Sequence, residues 1–440
     1  MSILFKFLDR NCVIFIAGGD NMQYANWEKE SRIKEFLTQV NLKKGIEKSG
    51  FPIFQDKDNL YLTKSETNTL VVGSTGSGKT QSVILPLTKL SILASESFIV
   101  NDIKGEIYEQ TKEKMKENDY NIVTLNFDNP ENGNKWNPLS LPQQLYRENK
   151  KDKSLEMLED IGYYLFGEEK MQTDSFWINS TIDYFTGVTL YLFEKESKEI
   201  TLKDIYETAH SLNKETLTEL ETNSGIYINL VGTLSAPPET KGSILSTFNQ
   251  KIKKYIQKED LSNMIQTSDF DIANITKEKT AIYINSGISA VSANLIPLFI
   301  NQVFDIAETS NNQDKALNVL LDEFDELLPI KDFNKIIHYS RSLKIRFTVV
   351  IKSFLDLVNM YGEKNAQLIK LCFSNLIYLI SNDIYTLEEI SKLCGKKSKE
   401  EDLITVEELK LLKQFEAIIL MPRLNPIRTT LVPDYKINWE

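Results

Sequence analysis

A glycine-rich loop between a predicted strand and a predicted helix constrains the fold of this 440-residue chain more than any other feature. The apolar run Thr69–Val72 precedes the loop, and Gln81–Leu93 has a helical pattern. The loop matches GxxxxGK[ST] and consists of Gly73, Ser74, Thr75, Gly76, Ser77, Gly78, Lys79 and Thr80. In this pattern, backbone N–H groups and the N-terminal end of the helix bind phosphate. The sequence therefore predicts a nucleotide-binding α/β fold.

Two side chains of this loop have predicted roles toward ATP and Mg²⁺. Lys79 is expected to reach the β- and γ-phosphates, and the Thr80 hydroxyl is expected to bind the metal. The alternative is a chance match to a pattern with four constrained positions. The strand before the loop and the helix after it disfavour that alternative.

Two adjacent carboxylates follow a second apolar strand, Val319–Leu321. Ligands of α/β sheets bind at the carboxyl ends of the strands, so this position favours a catalytic role. We expect Asp322 to hold Mg²⁺ and Glu323 to orient or deprotonate the attacking water. Without the phosphate-binding loop, such acids would more simply be the end of a buried strand. Asp325 and Glu326, which come next, are predicted to be solvated.

The order of strand and helix patterns predicts a central, mostly parallel sheet interrupted by an all-α insertion. The segment Trp27–Val40 has a helical pattern. Predicted strands are Thr69–Val72, Ser97–Asn101, Asn121–Asn126, Thr280–Asn285, Leu317–Leu321, Arg346–Ile351 and Asn375–Ile380, with a late hairpin of Ala417–Met421 and Thr429–Val432. The predicted segments are an N-terminal region (1–50), the first part of the nucleotide-binding domain (51–140), the insertion (141–260) and the second part of that domain (261–440).

Composition limits the function further. The net charge is −11, from 62 acidic and 51 basic residues, so a polyanion is repelled unless basic groups gather locally. Any DNA contact is therefore expected in a pore, a groove or an interface. Three cysteines (Cys12, Cys372 and Cys394) fit a reducing compartment. The two histidines make a histidine metal site an unfavoured interpretation.

The most apolar N-terminal run, Val13–Ala17, is shorter than the roughly 20 residues that span a bilayer. It is predicted to be a short buried strand or helix, and no transmembrane helix is predicted in this region.

Several short motifs accompany the phosphate-binding loop along the chain: Ser97–Glu106, Trp136–Leu139, Asp174–Trp177, Lys241–Thr247, Leu321–Phe324, Tyr361–Gly362 and Ile390–Gly395. In this order they resemble the motifs of the TraG/TraD-type coupling proteins of type IV secretion, which are ATPases of bacterial conjugation. The resemblance runs from about Asn59 to Asp434.

This resemblance implies a RecA-like motor domain, ring assembly as a homo-hexamer, and ATP hydrolysis at subunit interfaces. The implied partners are a DNA–relaxase complex (the relaxosome) or protein cargo, and the subunits of the secretion channel. The implied location is the cytoplasmic face of the inner membrane. Arg341 matches the position of a trans-acting arginine in the family. From the residues alone, a plain surface arginine is an equal alternative.

The chain departs from the family in two places. Relatives usually carry transmembrane helices before the motor domain, which leaves a soluble variant, a truncated product or a separate membrane-anchor partner as alternatives. Relatives also tend to have a Gln-Ser pair after the fourth strand, where this chain has Lys352–Ser353. A lysine can contact phosphate as a cation, but it cannot accept a hydrogen bond from water. Slower or differently gated hydrolysis is therefore expected.

Two other functions stay open. A nucleotide-binding docking platform with little motor activity fits three features: the excess of acidic residues, the lack of a predicted transmembrane helix, and Lys352–Ser353 in place of the Gln-Ser pair. A DNA-translocating ATPase of the wider FtsK/HerA-like group fits the phosphate-binding loop but not the helical insertion. Three basic residues of the insertion (Lys251, Lys253 and Lys254) could line a pore, although a solvated helix face is the favoured interpretation.

Overall fold

A computed structural model describes residues 24–64, 66–167, 175–287, 290–309 and 316–439. The predictions for Cys12 and Val13–Ala17, and Asp174 of one motif, lie outside these ranges. Within these ranges, no helix combines the length and the apolar character needed to cross a membrane.

The described strands form a small sheet and a large one. The small sheet contains β1 (Thr38–Asn41), β2 (Pro52–Asp56) and β3 (Asn59–Leu62). The large sheet contains β4 (Thr69–Val72), β5 (Ser97–Asn101), β6 (Asn121–Asn126), β7 (Thr280–Asn285), β8 (Leu317–Leu321), β9 (Ile345–Ile351), β10 (Asn375–Tyr378), β11 (Glu416–Leu420) and β12 (Ile427–Thr430). Their order across the large sheet is β12-β11-β10-β4-β9-β8-β5-β7-β6.

Strands β10 through β6 in that order are parallel, and β11 and β12 add the predicted antiparallel hairpin at one edge. Every residue of β4, β5, β8 and β9 is buried. Full burial is typical of parallel strands that are covered on both faces, and it explains why their residues are mainly apolar. Because these four strands are parallel neighbours, the residues that follow them meet at one edge of the sheet.

The described helices are α1 (Glu30–Phe36), α2 (Leu85–Leu93), α3 (Glu106–Glu117), α4 (Ser140–Arg147), α5 (Lys151–Phe166), α6 (Ser175–Lys195), α7 (Leu202–Ser211), α8 (Gly225–Leu234), α9 (Pro238–Ile256), α10 (Glu259–Met264), α11 (Ala290–Thr309), α12 (Phe333–Ser340), α13 (Phe354–Leu371), α14 (Ile384–Cys394) and α15 (Val406–Lys410). Between β6 and β7 the described chain contains helices and no strand. Aromatic rings fill the centre of this helical block, where Phe166 lies 5.3 Å from Phe185 and 5.6 Å from Phe248 between centroids. The four-segment division of the chain stays a prediction.

The buried Asn137 joins the two ends of the helical block. Its side-chain amide donates to the carbonyls of Ile200 (2.9 Å) and Gln266 (3.1 Å). The neighbouring Trp136 N–H donates to the Met264 carbonyl at 2.8 Å. The entry and exit of the block are therefore held together beside the sheet.

The predicted helix Trp27–Val40 is wrong at both of its ends, because the helix begins only at Glu30 and Thr38–Val40 belong to a strand. Helix α1 ends at Phe36, and β1 pairs antiparallel with β3 from Thr38 to Asn41. Pairing with a strand from elsewhere in the chain outweighs the local helical pattern there.

Candidate nucleotide-binding site

The phosphate-binding loop leaves β4 at the edge of the sheet and is hydrogen-bonded to the ends of both neighbouring strands. The Gly73 N–H donates to the Ile351 carbonyl at the end of β9 (3.0 Å). The Ser74 N–H donates to the Ile380 carbonyl just beyond β10 (2.7 Å). The loop is thus fixed by two strands that are distant in sequence.

Two glycines give this loop its curvature. Gly76 has φ of +81° and Gly78 has φ of +92°, values that side chains with a Cβ rarely adopt. A Cβ on Gly78 would also lie 2.5 Å from Cε1 of Phe415. Both positions therefore require glycine, and the resulting curl matches the pattern that presents backbone N–H groups to phosphate.

Lys79 lies along the loop, and its Nζ donates to the carbonyls of Gly73 (2.6 Å) and Ser74 (3.0 Å). Burial lowers the pKa of the Lys79 ammonium, while the negative charges of Asp322 and Glu323 oppose this. The ammonium is therefore held at the loop and close to the acids of β8. This arrangement is what binding a polyphosphate requires.

Thr80 brings the loop and the acids together. It begins a π-helical turn, Thr80–Ile84, that continues into α2. Its hydroxyl donates to Oδ2 of Asp322 at 3.3 Å, across 242 positions of sequence. The two residues predicted to hold Mg²⁺ are thus side by side. They can meet because β4 and β8 are parallel strands that end at the same edge of the sheet.

Asp322 and Glu323 are held in a defined geometry just after β8. Asn101, the last residue of β5, donates its amide to the Asp322 carbonyl at 2.9 Å. The Glu323 N–H donates to Oδ1 of Asp322 at 3.0 Å, and Glu323 has a left-handed backbone with φ of +47°. Such a conformation costs about 1 kcal/mol and is typical of functional sites. Burial raises the pKa of the Asp322 carboxyl, while nearby Lys79 opposes the rise.

The residues present fit a magnesium ion. Mg²⁺ prefers oxygen ligands and usually takes only one or two from the protein, with water and phosphate completing its shell. The Thr80 hydroxyl and the Asp322 carboxylate supply such oxygens 3.3 Å apart. The buried Ser77 hydroxyl of the loop also has no hydrogen-bond partner among the described residues.

The prediction that Asp325 and Glu326 are solvated is wrong for Asp325. Its side chain is 11% exposed and forms an ion pair with Lys352 at 2.6 Å, and Glu326 pairs with the same ammonium at 2.6 Å. Partial burial alone would lower the pKa of Lys352, but the two hydrogen-bonded carboxylates outweigh it and raise that pKa. Lys352, which follows β9, is therefore neutralised by acids from the segment after β8.

Arg341 lies at the opposite edge of the sheet from the loop. It precedes β9, a strand of seven residues and therefore about 23 Å long. Its side chain is 73% exposed and pairs at 3.3 Å with Glu66, which precedes β4. Arg341 therefore cannot reach the phosphate-binding loop of its own chain. A role in a neighbouring subunit's site stays a prediction.

Three residues beside the site had no predicted role. Asn101 fixes the acid pair, and Lys104 borders the same cavity as Thr80 and Glu323. Sequence reasoning could have found both, because Asn101 ends the predicted strand Ser97–Asn101 and Lys104 follows it, and ligands bind at the carboxyl ends of parallel strands. Phe415 covers Gly78 and had no such signal, because its contact joins segments more than 300 positions apart.

The sequence was compared with protein-family models and the structure with solved structures, and both comparisons find relatives. A family model described as "Type IV secretory system Conjugative DNA transfer" matches residues 19–411. The solved structure of the bacterial conjugative coupling protein TrwBdeltaN70 has a TM-score of 0.68 and 14% identity, covering 96% of this chain and 95% of that one. The solved structure of TrwB in complex with the ATP analogue ADPNP has a TM-score of 0.67 and 14% identity, covering 94% of this chain and 96% of that one.

VirB4 of Thermoanaerobacter pseudethanolicus gives a TM-score of 0.59 and 13% identity, covering 87% of this chain and 96% of that one. No curated protein matches the sequence significantly. At these identities the structural likeness shows the fold, and the predicted RecA-like α/β class is confirmed.

Proposed function

Because the chain belongs to the type IV secretory system conjugative DNA transfer family, we propose that it is an ATP-hydrolysing coupling protein. In this proposal it recruits a DNA–relaxase complex, or a protein substrate, and moves it to the secretion channel. The observation that carries the proposal is the contact of Thr80 with Asp322, which brings the phosphate-binding loop to the acid pair.

The residues have separate tasks in the proposed reaction. ATP with Mg²⁺ supplies the phosphoryl group that is transferred to water. The loop N–H groups and Lys79 bind the phosphates, and Thr80 with Asp322 holds the metal. Glu323 accepts a proton from the attacking water, and the hydrogen bond of its backbone N–H to Asp322 places it beside the metal-binding residues.

The proposed assembly is a homo-hexameric ring. Arg341 is exposed at the amino edge of the sheet, while the loop and the acids lie at the carboxyl edge. A ring that joins these two edges places the Arg341 guanidinium of one subunit against the triphosphate of the next. That charge neutralises the phosphoryl group during transfer.

Asp325→Asn is expected to raise the affinity for ATP about fivefold, on the order of 1 kcal/mol. The change removes a negative charge that acts on Lys79, and it releases Lys352 from its more buried partner. Both effects leave the site more positively charged, which favours binding of the ATP polyanion. Equilibrium titration with a non-hydrolysable ATP analogue measures the change.

The matched control is Glu326→Gln, which removes the other partner of Lys352. The Glu326 side chain is 58% exposed, so solvent screens it and the affinity should stay close to the parental value. An unchanged or lower affinity for Asp325→Asn would show that its charge does not act on the nucleotide.

DNA-stimulated hydrolysis tests the proposed function. The purified chain is assayed for phosphate release with and without single- and double-stranded DNA, while its assembly state is recorded with and without ATP. If the protein is a motor, we expect it to form rings and DNA to raise the rate of phosphate release several-fold. The second candidate, a docking platform, is favoured by the net charge of −11 and by the neutralised Lys352. It predicts the same slow rate in every condition.

A further inference from the structure

We propose that Phe415 and Tyr435 form the nucleobase subsite of this site, in which the base of the nucleotide stacks on an aromatic face beside Gly78. The inference rests on the proposed function only in taking a nucleoside triphosphate as the ligand. The late segment of the chain that carries Phe415 and Tyr435 binds the base by aromatic stacking.

Phe415 is held against the phosphate-binding loop. Its ring carbons Cε1 and Cδ1 lie 2.5 Å and 2.9 Å from the position that a Cβ of Gly78 would take. Its backbone has a left-handed φ of +66°, and its carbonyl accepts the Leu431 N–H at 2.8 Å. A phenylalanine in this conformation is strained, and such strain concentrates at ligand sites.

Tyr435 stands next to Phe415 and faces solvent. The two ring centroids are 6.4 Å apart at 67°, and Tyr435 is 65% exposed. Because so much of the ring is in water, Tyr435 contributes little to the core. An exposed aromatic ring beside a ligand site is available for stacking.

The turn that carries Tyr435 is anchored to the helix that follows the loop. Asp434 pairs with Lys89 of α2 at 2.7 Å, and both side chains are largely buried. The Lys89 ammonium also lies 5.2 Å from the centroid of the Trp439 ring. The exposed tyrosine therefore has a rigid base, so ordering it on a ligand costs little entropy.

The position of the aromatic pair suits the base. The loop and the first turn of the helix bind the phosphates, so the nucleoside extends from that end of the loop. Gly78 directly precedes Lys79 and Thr80, and the Phe415 ring covers it. Stacking uses the π-face that every base has, so this pair should bind adenine and guanine with similar affinity.

The test compares ligands with and without a base. Magnesium complexes of ATP, GTP and inorganic tripolyphosphate are titrated by calorimetry into the full chain and into Phe415→Leu and Tyr435→Leu. Leucine keeps an apolar cover over Gly78 but has no π-face. Tyr163→Leu, which removes another partly exposed ring on α5 of the helical block, is the matched control.

We expect Phe415→Leu to lower the affinity for ATP and GTP about tenfold and to leave that for tripolyphosphate unchanged. Tyr435→Leu should show the same pattern with a smaller loss, and Tyr163→Leu should match the parent for all ligands. A parallel loss of tripolyphosphate affinity would mean that Phe415 only shapes the loop and would overturn the subsite. Unchanged ATP affinity would overturn it too. If the parental chain binds neither ATP nor tripolyphosphate, the proposed function fails as well.

Discussion

Glu323→Gln is expected to bind ATP and Mg²⁺ with parental affinity and to hydrolyse ATP about 10³-fold more slowly. Glutamine has the same size as glutamate and keeps the N–H that donates to Asp322, so the geometry of the metal-binding side is retained. It cannot accept a proton from water, so only the chemical step is lost. Equilibrium binding and single-turnover hydrolysis separate these two effects.

A charge control makes this result specific. Glu326→Gln removes the same charge three positions further along the chain, from a carboxylate that pairs with Lys352. It should retain turnover close to the parental rate. If Glu323→Gln hydrolyses ATP at the parental rate, Glu323 is not the residue that activates water.

Arg341→Ala is expected to lose about 10³-fold in turnover, although Arg341 lies far from the loop of its own chain. The loss should be partly rescued when Arg341→Ala is mixed with Lys79→Ala before assembly. A site built from an Arg341→Ala loop and the arginine of a Lys79→Ala neighbour is complete. Turnover measured over a series of mixing ratios should therefore pass through a maximum.

The control for this mixture combines Lys79→Ala with Glu323→Gln. Both defects lie in the same half of the site, so no mixed interface has an intact loop and acid pair, and no rescue is expected. Absence of rescue at every ratio of Arg341→Ala to Lys79→Ala would contradict a trans-acting arginine.

Most of the parallel strands could be predicted from sequence with exact bounds, whereas β9 begins one residue earlier and β10 ends two residues earlier than predicted. The strands Ser97–Asn101, Thr280–Asn285 and Leu317–Leu321 begin and end where they were predicted. Because such strands are covered on both faces, they are mainly apolar, and the apolar pattern stops where the sheet edge meets solvent or a ligand. The strand Thr38–Asn41 lacks this signal, because its pattern is polar and its pairing with β3 is not local.

The site was predictable where its residues are contiguous and not where it depends on distant contacts. The loop residues Lys79 and Thr80 follow from one local pattern, and Asp322 follows from the rule for strand ends. The pairing of Asp325 with Lys352 depends on β8 and β9 being neighbours, which the order of elements along the chain does not specify. The cover of Gly78 by Phe415 likewise depends on how the late hairpin packs.

The position of the bound metal shows whether Thr80 and Asp322 form one site with the phosphate-binding loop. Mn²⁺ replaces Mg²⁺ in a crystal structure of the chain with a non-hydrolysable ATP analogue, and its anomalous signal locates the ion. We expect the ion about 2.1 Å from the Thr80 hydroxyl oxygen, on the side of Asp322, with the β-phosphate in the loop of residues 73–79. A saturating analogue bound elsewhere, with neither phosphate nor metal between Lys79 and Asp322, would show that these residues do not form the nucleotide site.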